Sequence, residues 1–212
     1  TGYGADDETQ LVRQHAKLLA ALAMVDADVY GLLEIEQGQA ALQKMATALS
    51  SRLGHTYAYI NDGTVSSGSY TKVGYIYRSD RLTPYGQLQH IDNPSPQKRK
   101  KAQAFVLKEN GEKFIFSLNH FKAKTGSASG NNEDQGDGQG VHNATRVNEA
   151  NAVVTRVFEW IRYFGDDDVL VMGDLNAYAK EDPIVVFTDA GYVDLHRAFH
   201  ADSSYSYTYR GA

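Results

Sequence analysis

The sequence predicts a mixed α/β domain, and three observations carry the prediction. Apolar runs of strand length, 29–33 and 169–173, end abruptly in polar or acidic side chains. Segments with apolar residues at helical spacing alternate with them, the order a layered α/β arrangement requires. No repeat, linker or compositional break interrupts the 212 residues, which read as one domain, 1–212.

From Thr9 to Met24, Leu11, Val12, His15, Leu18, Leu19 and Leu22 recur at helical spacing. Asp6, Asp7 and Glu8 lie where the helix dipole favours anions. Asp26-Ala27-Asp28 closes this helix, and Val29–Leu33 forms a strand running into Glu34-Ile35-Glu36. Alternation places Leu32, Glu34 and Glu36 on one face and Leu33 and Ile35 on the other. A carboxylate at the end of a buried run has either surfaced or found a cation, because burying it alone is costly. Glu34 is the better candidate, with Glu36 behind it or on the surface.

A second amphipathic helix runs from Gly38 to Arg52, with Gly54 placed to close it. Tyr57–Ile60 reads as a strand, 61–69 as a polar loop, and Lys72–Arg78 as a strand with Val73, Tyr75 and Tyr77 on one side. The loop at 93–97 leads into Lys98-Arg99-Lys100-Lys101, either a solvated run before a strand or an edge that contacts phosphate. Asn110-Gly111 between the runs 103–108 and 113–119 signals a hairpin.

The long polar segment 125–140 contains Asp134-Gln135-Gly136-Asp137-Gly138-Gln139-Gly140, oxygen ligands and glycines spaced as a calcium loop could have them, without a full EF-hand pattern. Asn143 can cap a helix to Phe164 with the stripe Val147, Ala150, Val153, Val154, Val157, Phe158 and Ile161. Asp182 and Pro183 begin another helix, as cap and first residue. Tyr205–Tyr209 alternates as a strand.

Val169-Leu170-Val171-Met172-Gly173-Asp174-Leu175-Asn176 is the most informative stretch. The apolar run reads as a fully buried strand. Gly173 permits a sharp turn or a close backbone approach. Asp174 and Asn176 point the same way in an extended chain and can position a water and a phosphate oxygen. The plain alternative is a strand ending in an Asx turn.

Composition narrows the possibilities. There is no cysteine, which excludes disulfides, thiolate metal sites and Cys nucleophiles. The net charge of −5 argues against a protein that coats nucleic acid by bulk electrostatics, but not against an enzyme that handles it briefly. No apolar run approaches the roughly 20 residues of a membrane span, and residues 1–14 carry no apolar run of signal-peptide type.

Taken in order, Leu32-Leu33-Glu34-Ile35-Glu36, Val73-Gly74-Tyr75-Ile76-Tyr77-Arg78, Asn119-His120-Phe121-Lys122-Ala123-Lys124, the 134–140 segment with Asn143, Arg146 and Ala150, and Gly173-Asp174-Leu175-Asn176-Ala177-Tyr178 with Glu181-Asp182-Pro183-Ile184 resemble the endonuclease/exonuclease/phosphatase superfamily. Within it the likeness is to bacterial extracellular nucleases. The resemblance implies a deoxyribonuclease-I-like fold, a two-sheet β-sandwich flanked by helices. It implies a Mg²⁺- or Mn²⁺-dependent nuclease acting on DNA or RNA, secreted or periplasmic, with no membrane partner. Glu34, Asp174 and Asn176 would hold the metal. Asp174 would also orient the attacking water, and His120 and Asn176 would bind the scissile phosphate. Arg99, Lys122, Lys124 and Arg146 would contact substrate, with Lys72 a further candidate, and Ca²⁺ could occupy the 134–140 loop.

The resemblance also implies a first strand and a closing Asp-His pair that this sequence does not contain. The chain is therefore expected to be a fragment whose own activity is in question. Two other readings follow: a phosphoesterase of the same fold acting on small or lipid phosphates, and a catalytically incomplete nucleic-acid-binding or assembly domain.

Overall fold

Strands β1 (Val29–Glu36), β2 (Tyr57–Tyr59) and β3 (Thr71–Arg78) form an antiparallel sheet in the order β1-β3-β2. A second sheet holds β4 (Leu82–His90), β5 (Lys100–Leu107), β6 (Lys113–His120) and β7 (Val169–Asp174) in sequence order, antiparallel except for the parallel β6–β7 pair. The computed structural model describes residues 5–36, 38–63, 71–91 and 99–200. Most of the expected 61–69 loop, the 93–97 loop, Lys98 and the expected strand at 205–209 lie outside the described residues.

Helices α1 (Glu8–Val25) and α2 (Ala40–Leu53) lie on the outer side of the first sheet; α3 (Asn143–Phe164) and α4 (Asp182–Asp189) lie on the outer side of the second. A short α5 (Leu195–His200) follows. The resulting α/β/β/α layers match the deoxyribonuclease-I-like sandwich. Three apolar clusters hold them together. Leu42, Met45 and Leu49 pack on Tyr30 and Ile76. Val73, Tyr75, Phe105, Phe116 and Leu118 fill the space between the sheets. Ala102, Ala104 and Ile115 pack under Val153, Val157 and Trp160. No helix among the described residues is long and apolar enough to cross a membrane.

Several expectations hold in detail. The Asp7 side chain caps α1 by accepting from the Gln10 amide (2.8 Å). The 109–112 hairpin closes β5 onto β6, with Gly111 in the left-handed region (φ 80°).

Others need correction. Strand β4 is not evident in the sequence because Pro84, Gly86 and three glutamine and histidine positions hide its alternation; Pro is tolerated there because β4 is an edge strand among the described residues. The run 169–172 is partly buried, and on one face only. Val169 and Val171 face α3, whereas Leu170 and Met172 are exposed, because β7 is the outermost strand of its sheet among the described residues. The buried stripe of α3 is rotated from the expected one: Arg146, Glu149, Ala150, Val153, Val157, Trp160 and Phe164 are inside, and Phe158 is exposed. Glu181 stands at the cap position of α4, and Asp182 begins the helix.

The basic run departs most from expectation. Lys100 and Lys101 belong to β5 and are buried on its opposite faces. Lys100 pairs with Glu149 of α3 (3.0 Å). Lys101 reaches between the sheets to Asp62 and to the Val73 carbonyl (2.8 Å). Lys72, also buried, meets the other oxygen of Asp62 (2.7 Å), so it is an internal ion-pair member and not a substrate contact.

Burial alone would raise the Asp62 pKa, but hydrogen bonds from Lys101, Lys72 and Gln39 bring it down to about 2. A carboxyl held below its unfolded value contributes stability above about pH 4 and loses it as pH falls towards 2, a contribution of about 2 kcal/mol. The difference in urea midpoint between wild type and Asp62→Asn should therefore be widest near neutrality and shrink across that window. A difference constant with pH would show that Asp62 is not held as an anion.

Candidate active site

The carboxyl ends of β1, β6 and β7 and the amino ends of β3 and β5 come together at one rim of the sandwich. In the parallel β6–β7 pair, His120 stands opposite Asp174 and Asn119 opposite Gly173. Gly173 has φ 136°, and a Cβ there would lie 1.8 Å from the Asn119 carbonyl oxygen. The close approach that brings these strand ends together thus requires glycine.

Beyond Gly173 the chain turns. The Asn176 amide donates to Asp174 Oδ1 (2.9 Å), and Asn176 takes a left-handed conformation (φ 47°) that Asn tolerates. This is an Asx turn, and it also presents the two side chains. Asn176 Nδ2 donates to the Phe121 carbonyl (3.1 Å), so its amide oxygen is what it can offer a ligand. The Phe121 amide donates to the Asp174 carbonyl (2.9 Å), and the His120 amide to the Arg99 carbonyl (2.8 Å). The His120–Lys122 backbone is thereby locked to three neighbouring elements.

Glu34 arrives from the other sheet. A bulge between Leu32 and Ile35 breaks the alternation of β1: Leu32 pairs with Gly74 and Ile35 with Lys72, three steps against two. Leu32 and Ile35 therefore share the face towards α2, correcting the simple alternation. Glu34 takes φ 53°, and its side chain, 72% exposed, turns to the rim. Its Oε1 lies 3.9 Å from His120 Nε2. Glu34 of the first sheet and Asp174 of the second thus both lie close enough to His120 to act on its charge, and the turn ties Asn176 to Asp174.

Burial pushes the His120 pKa below its usual value, and the Arg99 guanidinium pushes it the same way; Asp174, Glu34 and Glu149 oppose this without cancelling it. The imidazole is neutral near pH 7 and can hydrogen-bond without carrying charge. Arg99 Nε is buried with no hydrogen-bond partner among the described residues, beside the same rim.

The remaining expected cations divide. Lys122 stays next to the rim, its amide donating to Glu149 Oε2 (2.7 Å). Lys124 pairs with the buried Glu181 and lies 4.6 Å from the Tyr178 ring centroid, so it ties the start of α4 to the loop. Arg146 is wholly buried and donates to the carbonyls of Gln139 (2.7 Å), Val141 (2.8 Å) and Lys122 (3.4 Å). It holds the ends of the long loop and does not contact the rim, because an arginine in the apolar stripe of α3 finds its acceptors inside.

In the 134–140 segment the carboxylates are engaged within their own turns. Asp134 and Asp137 accept from the amides of Gly136 and Gln139, and Gln139 docks on Asp182. Glu149 and Asp62 went unrecognised in the sequence. The visible signal for Glu149 was an acid at helical spacing with Val153; for Asp62 there was none.

No three acidic or imidazole side chains among the described residues converge into a protein-only metal cage. Two carboxylates and an amide oxygen across the rim are nonetheless a hard-oxygen donor set. Such a set suits an ion like Mg²⁺, which keeps several waters and takes only one or two carboxylates.

Residues 2–212 match the profile of the endonuclease/exonuclease/phosphatase family. The chain belongs to this family. Members of the endonuclease/exonuclease/phosphatase family are generally phosphodiester or phosphate-ester hydrolases and commonly use divalent metals. The fold is shared with the catalytic domain of human nocturnin, solved with a bound sulfate anion: 17% identity, 95% of this chain and 71% of that one covered, TM-score 0.66. A family protein from Bacteroides vulgatus is 17% identical over 90% of this chain and 69% of its own, TM-score 0.60. A mannosyl-6-phosphatase from Bacteroides thetaiotaomicron is 16% identical over 85% and 62%, TM-score 0.57. No curated protein matches by sequence.

Proposed function

We propose that this endonuclease/exonuclease/phosphatase chain is a divalent-metal-dependent phosphodiesterase that cuts nucleic acid internally. The observation that carries the reading is the approach of Glu34, from the first sheet, to His120, which stands opposite Asp174 in the second. Glu34, Asp174 and Asn176 would hold the cation, whose chemistry when bound is polarisation of a phosphoryl oxygen and stabilisation of the departing one. Asp174 orients the attacking water through the carboxylate oxygen that the turn leaves over. Neutral His120 donates to a phosphate oxygen as charge develops on it. Arg99 and Lys122 supply positive charge at the same edge. An extracellular or periplasmic setting belongs to the same proposal and rests on the likeness to extracellular nucleases.

One observation favours a second reading, hydrolysis of a small phosphate ester. Arg146 is committed inside the protein and Lys124 is paired with Glu181, so Arg99 and Lys122 remain of the named cations, a footprint closer to one phosphate than to a strand. Plasmid DNA, an oligoribonucleotide, a phosphoinositide and a sugar phosphate, each offered with Mg²⁺, Mn²⁺ or EDTA, separate the two. Nicked plasmid or cut RNA with metal and neither with EDTA is the expected result. Turnover of the small phosphates alone would favour the second reading, and cleavage undiminished in EDTA would overturn both.

A further inference from the structure

The candidate metal ligands come from both sheets: Glu34 from the first, Asp174 and Asn176 from the second. Whatever binds all three depends on the gap between the sheets at the rim. The apolar packing between them is non-directional and does not define that gap closely. Polar links lie directly beneath. Lys101 pairs with Leu118, two residues before His120, and Lys72 pairs with Ile35, next to Glu34. Lys101, on the second sheet and fully buried, donates to Val73 and Asp62, both of the first-sheet side. In return the Tyr75 hydroxyl of the first sheet meets the carbonyls of Lys101 and Phe116 (both 2.9 Å). Lys72 contacts Asp62 just as closely but from the same sheet, so it braces the carboxylate without crossing the gap.

We propose that Lys101 is a positioning residue, a buried cross-tie that sets the distance between Glu34 and Asp174 and so the affinity of the rim for a divalent cation. The inference rests on the metal-dependent reading above. Charged hydrogen bonds in a site closed to water are short and directional, which suits them to fix a spacing.

Lys101→Met and Lys72→Met form a matched pair. Each removes one buried ammonium and leaves Asp62 with one lysine, so charge and burial change alike, but only the first removes a side-chain link between the sheets, leaving the Tyr75 hydroxyl to bridge them. Binding of Mn²⁺ is read by electron paramagnetic resonance of the free ion, without turnover, alongside Tm for each variant. Lys101→Met should weaken Mn²⁺ binding roughly tenfold, as loss of a residue supporting metal ligands typically does. Lys72→Met should stay within about twofold of wild type at a comparable loss of Tm. Lys101→Gln, which keeps a donor for Val73 but no charge for Asp62, should fall between, and it serves if the methionine variant folds poorly. Equal shifts in the two methionine variants, or none in either, would overturn the inference. Glu34→Gln separates this from the parent reading: if it binds Mn²⁺ like wild type, the metal site itself is misplaced.

Discussion

Asp174→Asn is expected to lower phosphodiester hydrolysis about 10³-fold or more while leaving Tm within a few degrees of wild type. The two expectations separate because Asp174 has two jobs. Its Oδ1 accepts the Asn176 amide and shapes the turn; its charge acts on His120 at the rim. Asparagine keeps an acceptor for the turn and removes the charge needed to hold a cation and orient water. Asp174→Ala removes both, so it should lose as much activity and additionally about 1 kcal/mol of stability. Steady-state kinetics with circular-dichroism melting on both variants makes the comparison. If the asparagine variant cleaves as fast as wild type, the rim is not where hydrolysis occurs.

Gly173→Ala should be the most damaging single methyl addition in the described chain, at roughly 4 kcal/mol or more. For a chain of this size that is on the order of 10 °C in Tm. Two penalties coincide. A φ of 136° is a conformation L-residues rarely adopt. The added carbon would lie 1.8 Å from the carbonyl oxygen of Asn119 and 2.9 Å from its nitrogen, backbone atoms that no rotamer change can move aside. Relief requires β7 to part from β6, which separates His120 from Asp174. Any folded remnant should therefore be inactive, distinguishing it from Asp174→Asn, which is inactive but stable. Gly31→Ala is a useful contrast, because its added carbon meets only the side chains of Leu118 and Phe116, which can shift. A Gly173→Ala protein that melts like wild type would contradict the strand pairing at the rim.

The residues that face the rim were legible because each follows an apolar run whose end is written in the sequence. Val29–Leu33 before Glu34, the hairpin strand before His120, and the 169–172 run before Gly173 each place a polar group at a strand terminus. The supporting residues were not. Lys100 and Lys101 look like a solvated basic run, since local pattern cannot reveal that Glu149 lies 49 positions away or Asp62 39 positions away. Arg146 and Lys124 have partners the sequence does not show for the same reason: charge seeks partners, and in this fold the nearest ones are backbone carbonyls for Arg146 and the Glu181 carboxylate for Lys124. The bulge at Glu34 is also invisible in one strand read alone, because a bulge is a relation between two strands.

By itself, the sequence determined most of the elements, β4 excepted, through apolar period, capping and the glycine that lets β7 approach β6, since these depend on neighbours within a few residues. Tertiary structure alone decided which carboxylate meets which imidazole across the two sheets, and which cations are neutralised inside and which stay at the rim. Those outcomes depend on electrostatic partners that only folding brings within a few ångströms.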